Sequence, residues 1–359
     1  MARSSTRRSP ARVLALVSLC AACATVSAGG QGVGWADVLT QADAWYATAE
    51  ARAVADSVRS YQEPSGGWPK NIDMTVPRPA QPAPDRPEAT IDNQATFTQV
   101  RYLARVYRAT HVDRDRDAAL RGVDYLLAAQ YRNGGWPQFF PLRDDYSRHI
   151  TFNDGAMIGV MTLLDDIVKE PRAWDFVDEA RRAKAREGVA RGVDVILRSQ
   201  VKVNGALTVW CAQHDEVTLE PRKARTYEHV SLSGDESVGI VRFLMERAPA
   251  SEAGDAAIEA AVAWFERVTI TGWRVERIAA PDLPGSVDRV LVRDDTAPAL
   301  WARFYEIGTN RPIYSGRDGV IRYNFAEIEH ERRMGYAWVG DWPRALLERD
   351  VPKWRARKR

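Results

Sequence analysis

Apolar residues recur at helical spacing in several stretches that share one plan. Val123, Leu126 and Leu127 mark one face of "VDYLLAAQ", and Val193, Ile196 and Leu197 repeat that face in "VDVILRSQ". Apolar positions three and four apart predict amphipathic helices. Each stretch runs into Gly-Gly or Asn-Gly, the residues that stop a helix and turn the chain tightly. Between them lie further helical patterns, at Asn93–Thr110 and Asn153–Glu170, and a later one at Ala250–Ile270.

Aligning the stretches exposes a repeat. "ADSVRSYQEPSGGWP" matches "VDYLLAAQYRNGGWP", and "VDVILRSQVKVNGALTVW" is a degraded third copy, so that Gln62, Gln130 and Gln200 fall in register. The period of about 70 residues is longer than that of most solenoid repeats and suits a helical hairpin with a long loop. The pattern predicts an all-α fold: an (α/α) toroid of repeated helical hairpins with long functional loops and minor short strands. In each "GGWP" turn, glycine lets the backbone reverse and Trp68 or Trp136 fills the gap between helices. Sugar stacking is a second reading for these two rings. The toroid is expected over residues 36–350, with a basic tail at 351–359. "PRPAQPAPDRPEAT" reads as a surface loop, and Ala280–Pro298 as loop with a short strand.

Composition narrows the function. The chain has 359 residues, 45% hydrophobic and 27% charged, with a net charge of +2, which gives no reason to expect nucleic acid. The N-terminal run is basic, then apolar, then small, as in a secretory signal peptide covering residues 1–28. Its apolar stretch is shorter than a membrane span requires. Export to the periplasm or beyond follows, with lipid anchoring at Cys20 or Cys23 as a variant. The remaining cysteine, Cys211, then has no internal partner and reads as a buried inert thiol.

Candidate chemistry gathers where loops become helices. Asp92 and Asn93 precede one helix, and Asn153 and Asp154 precede another. Such residues are ordinary helix caps. Two pairs at equivalent places could instead converge their oxygens on a hard cation, calcium above all. The five histidines are scattered, which argues against zinc. A third stretch, Trp210–Val241, carries Arg222, Lys223 and Arg225, with His214 and Asp215 close by, and Arg317, Arg332 and Arg333 follow later. Guanidinium groups fit carboxylates bidentately.

"GGWPKNIDM", "TIDNQATFTQVRYLARVY", "GGWPQFFPL", "ITFNDGAMIGVM", "WCAQHDEVTLEPRKARTYE" and "RFYEIGTNRPIYSGRDG" resemble the family-ten polysaccharide lyases, the α/α-toroid pectate lyases, over roughly Trp45 to Trp342. The resemblance implies a secreted, monomeric enzyme that cleaves polygalacturonate by calcium-assisted β-elimination. It implies Asp154 and Asn93 as the calcium-binding pair with Asp92 beside them, and Arg225 as the base. Arg317 and one of Arg332 or Arg333, with Arg333 preferred, are implied as binders of the substrate carboxylate, and Lys223 is added to them as a further expected contact. Arginine is normally always charged, so a base role calls for neighbouring cations and lost solvation to lower its pKa. Three rivals stand beside this reading. A non-catalytic acidic-polysaccharide-binding protein would use Trp68 and Trp136 as platforms and need no base. A hydrolase would want two opposed carboxylates. A terpene cyclase would need an apolar cavity beside "RDDTAP".

Overall fold

The computed structural model describes residues 33–80 and 84–358. These fall in one compact unit that begins at Val33. The expected signal peptide, with Cys20 and Cys23, lies outside the described residues.

Seven helices build the scaffold: α1 (Ala49–Ser60), α2 (Phe97–Thr110), α3 (Asp113–Ala128), α4 (Ala156–Lys169), α5 (Glu179–Ser199), α6 (Glu236–Glu246) and α7 (Glu252–Arg267). They pack as two rows. Helices α1, α3, α5 and α7 contact one another in that order, as do α2, α4 and α6, and α1–α2, α4–α5 and α6–α7 tie the rows together. The α4 segment is apolar enough to be buried on most sides, with Val160, Met161, Leu163 and Leu164 all solvent-free.

The repeat is held by one hydrogen-bond device, used three times. The amide of Gln62 donates to Gly66 O and to Ala118 O of α3, that of Gln130 to Gly134 O and Gly188 O of α5, and that of Gln200 to Thr208 O and Ala257 O of α7. Each glutamine thus closes its own turn and grips the next helix of the row. The tryptophans complete the clamp. Trp68, Trp136 and Trp210 are fully buried and donate through Nε1 to Val58 O, Leu126 O and Ile196 O at 2.8, 2.8 and 2.7 Å. Gly66 and Gly134 sit at φ +96° and +103°, where a Cβ would strike the backbone carbonyl of Arg121 or Arg191.

A fourth clamp escaped the sequence reading. Trp301 Nε1 donates to Phe265 O at 2.9 Å, with 36 residues between donor and acceptor instead of the 10 found in the first two copies. The extra length is a β-hairpin, β1 (Trp273–Ala279) against β2 (Val287–Arg293). Its base is pinched where Ile270 and Leu300 exchange backbone hydrogen bonds at 2.8 and 2.9 Å. This hairpin is longer than the short strand expected there. The other ladders are two residues long.

The expected basic tail is a correction. Val351–Arg357 form a helix whose Val351 and Trp354 are buried in the core. Its Arg355 pairs with Glu259 on α7. The lysines and arginines dominate the composition there, but the two apolar residues decide the placement.

Candidate active site

The loop-to-helix junctions are not helix caps. Asn93 and Asp154 take the left-handed conformation, φ 47° and 50°, and neither α2 nor α4 receives a side-chain cap. A non-glycine residue at positive φ is disfavoured by about 1–2 kcal/mol, least for Asn and Asp. The two junctions are in contact, and the Asn93 amide donates to Asn71 Oδ1 at 2.7 Å.

A polar pocket of about 50 Å³ forms where they meet, lined by Asp92, Asn93, Asn153, Asp154 and Arg225, with Lys70, Gln138, Tyr146, Gln213 and Glu228. Four sequence candidates, Asp92, Asn93, Asp154 and Arg225, are thereby brought together. Lys70 and Gln138 were missed, though a signal existed. Each is the residue directly after a "GGWP" turn, so the clamp that buries the tryptophan delivers a polar side chain two positions later.

Asp92 is buried, and Lys70 Nζ and Gln138 Nε2 both contact its Oδ2, the latter at 2.6 Å. Its Oδ1 is buried with no hydrogen-bond partner. Such an oxygen is costly to strand. Asp154 Oδ2 accepts from Asn153 at 2.7 Å and its Oδ1 accepts from Arg303 at 2.9 Å. Arg303, another missed residue, is buried and also meets Glu236, Asp235 and Asn153. Burial alone would lower its pKa, but Glu236, Tyr336, Asp235 and Asp154 raise it well above the ordinary value. In turn, burial and the nearby Glu236 push Asp235 up. The donor set of carboxylate and amide oxygens, with Asp92 Oδ1 unpartnered, fits a hard cation such as calcium.

Arg225 is half-buried. Its Nε donates to Glu228 Oε2 at 2.7 Å, Nη2 completes a bidentate pair with Oε1, and the guanidinium lies over the Tyr227 and Tyr336 rings at 4.9 and 5.8 Å. Tyr336 Oη also donates to Glu228, at 2.8 Å. Burial pulls the Arg225 pKa down, but Glu228 and the two tyrosines raise it above the ordinary value. The expectation of a pKa lowered by neighbouring cations is therefore corrected for the free protein: the immediate partner is an anion. Burial pushes Glu228 up, and Arg225 and Tyr336 more than offset that.

The loop carrying Arg225 is anchored at His214. Its Nε2 accepts from Cys211 N at 3.1 Å, while Nδ1 donates to Leu219 O at 2.8 Å, a pattern that requires the neutral ring. Burial lowers its pKa to about 4. Asp215 accepts from Val217 N, Thr218 N and Arg222, which ties up Arg222. Cys211 is buried and its pKa is raised by that burial, so the thiol is inert.

Other candidates lie elsewhere. Trp68 and Trp136 are fully enclosed by the core, so neither can stack on a sugar, and that expectation is corrected. Lys223 is exposed on the loop. Arg317 shares Glu331 with Arg332, and Arg332 lies over the Tyr227 ring at 4.7 Å. Arg333 is outside the pocket, paired with Asp288 of the β-hairpin at 2.7 Å. Between these two arginines, Arg332 is the one that shares an aromatic neighbour with Arg225. His149, Asp215 and Glu216 do come within metal-binding reach of one another, despite their scatter in sequence. Glu216 is taken up by His149 and Arg148, and Asp215 by its own turn.

The geometry can be set beside known proteins. The family model for pectic acid lyase matches residues 62–347. Two solved structures of a family 10 polysaccharide lyase from Cellvibrio cellulosa are similar, each with 35% identity, a TM-score of 0.75 and 89% of this chain covered. One, a point mutant in complex with trigalacturonic acid, is covered over 95% of its length, and the other over 94%. Among curated proteins, no match was found.

Proposed function

From the fact that this chain belongs to the pectic acid lyase family and is a polysaccharide lyase, we propose that it is exported and cleaves polygalacturonate by β-elimination, with Arg225 as base and a calcium ion held by Asp154, Asn93 and Asp92. One observation carries the reading. Three oxygen-bearing residues from two strained turns and one arginine from a distant loop line the same small polar pocket. The bound trigalacturonic acid of the similar structure supports the substrate class. No described helix is long and apolar enough to cross a membrane, which is compatible with export.

Elimination removes the C5 proton of a galacturonate, breaks the C4–O bond and leaves a C4–C5 double bond. The departing oxygen takes its proton from water. Negative charge builds on the carboxylate next to C5 during proton removal. Bound calcium would supply charge stabilisation at that carboxylate. Asp154, Asn93 and Asp92 would hold the ion, and Lys70 sits at the same pocket as a second cation for the substrate acid. Arg225 takes the proton in its neutral form. Its pKa is raised by Glu228, so that form is scarce at neutral pH. The rate should therefore climb with pH throughout the alkaline range.

The test is ultraviolet absorbance of the unsaturated uronide during incubation with polygalacturonate, with calcium and with chelator. Growth of the band with calcium and its loss on chelation are expected. Chain cleavage without the band would sink elimination in favour of hydrolysis. A chelator-resistant rate would remove calcium from the reading.

A further inference from the structure

A groove of about 720 Å³ runs beside the β-hairpin, and it shares no lining residue with the Arg225 pocket. Trp273 and Tyr323, 37% and 42% exposed, stand at its wall. Its cations are unusual for this molecule. Three arginines near the groove are neutralised: Arg274 by Glu276 and Asp294, Arg293 by Asp295, Arg333 by Asp288. Arg277, Arg289 and Arg311 make no ion pair among the described residues. Arg277 and Arg289 lie directly opposite each other across the hairpin. Like charges in that register are destabilising. Arg289 is further disfavoured by partial burial, and burial together with Arg277 lowers its pKa. Arg311 lies over the Tyr323 ring at 3.6 Å.

Aromatic rings beside unpaired guanidinium groups have a specific complement: a chain of rings, each carrying a carboxylate. The rings offer apolar faces to Trp273 and to the part of Tyr323 that Arg311 leaves exposed, and the carboxylates offer bidentate partners to the arginines. We propose that this groove is a second binding site for acidic polysaccharide, which holds a polyuronate chain away from the cleavage site. The choice of a polyuronate rests on the proposed function. The groove's need for an anionic ligand rests on Arg289, which lines it, with Arg277 opposite Arg289 on the hairpin and Arg311 over the lining Tyr323 ring.

The experiment compares the full chain with Trp273→Ala/Tyr323→Ala and with Arg277→Ala, none of which contacts the pocket. Arg289 is left alone because its Nη1 donates to Tyr336 O at 3.0 Å. Steady-state kinetics are measured on polygalacturonate and on trigalacturonate, with thermal melting to check folding. The double variant should raise KM for the polymer roughly threefold to tenfold, the effect of losing about 1 kcal/mol of stacking. Values for the trimer should stay within about twofold of the parent's, because the trimer is expected to occupy the pocket alone. Equal KM values for polymer in parent and variants would overturn the site. Retardation in a gel containing polygalacturonate reads binding without turnover. Should the protein cleave neither substrate, the function fails while the groove is still decided: retardation lost in the double variant supports it, and unchanged retardation rejects it. A parent that self-associates through Trp273, with no retardation, would replace the site by a protein interface.

Discussion

The two GGWP turns and the loop from Trp210 to Glu228 deliver side chains to the same pocket by opposite means. Each turn is locked from below. A buried tryptophan bonds a helix carbonyl, a glutamine bonds two more, and the polar residue that follows has little freedom left. The loop starts from the third clamp at Trp210, but beyond it the chain is held by the neutral His214 and a two-residue ladder, and its arginine reaches the pocket half-exposed, fixed chiefly by Glu228. The stiff region supplies the ammonium of Lys70 and the amide of Gln138, which fix Asp92. The softer region supplies Arg225, the proposed base. Damage to the first should register in stability, and damage to the second in rate.

The sharpest break between them is Arg225→Ala. Removing a proton acceptor should lower kcat roughly a thousandfold or more, with the melting temperature nearly unchanged. A comparable loss of melting temperature would show that the loop is part of the clamp system after all. Trp136→Ala should do the reverse, destabilising by about 3–5 kcal/mol because it empties a large enclosed volume and strands Leu126 O. Urea denaturation measures it, and a change below about 1 kcal/mol would mean the turn can collapse.

The histidine at the loop base gives a pH signature. Its pKa falls from the ordinary 6.5 to about 4 on folding. The unfolded chain therefore takes up the proton first. Stability is full above pH 6.5 and is lost as pH falls toward 4, by about 3 kcal/mol from this group. Melting curves across that window should show the slope in the parent and a flatter one in His214→Gln. Equal slopes would assign the acid sensitivity to other groups. The smallest effect sharpens the comparison within the clamps. Gln130 Oε1 accepts from Arg191, whereas Gln200 Oε1 is buried without a partner. Gln130→Leu should cost about 1–3 kcal/mol, and Gln200→Leu less, since it also removes a stranded oxygen. The ordering, read from denaturation midpoints, is the test.

Much of this was legible in sequence because it was periodic. The register of Gln62, Gln130 and Gln200 gave the hairpins, and the paired junctions at Asp92–Asn93 and Asn153–Asp154 gave half of the pocket. The helices start three or four residues beyond the predicted points, at Phe97 and Ala156. The left-handed turns occupy the positions where helical pattern had been extended. What stayed hidden depends on contacts between distant segments. Nothing near Arg303 in sequence announces that it would meet Asp154, 149 residues away. Glu228 lies three residues from Arg225 and was readable, but only with the knowledge that the pair turns inward. The burial of Trp68 and Trp136 follows from the clamp, whose second half lies on the next helix.

The pinched base at Ile270 and Leu300 has an architectural consequence. Everything between those residues leaves the clamp and returns to it at the same point, so the clamp does not register what the excursion contains. A lineage could lengthen, trim or replace the outer part of this appendage while the helical frame stayed intact, so long as Asp288 and Arg289 kept their contacts to Arg333 and Tyr336. If the groove on the hairpin grips substrate, appetite for different plant-wall polymers could change by exchanging that outer part alone, and a designer could do the same.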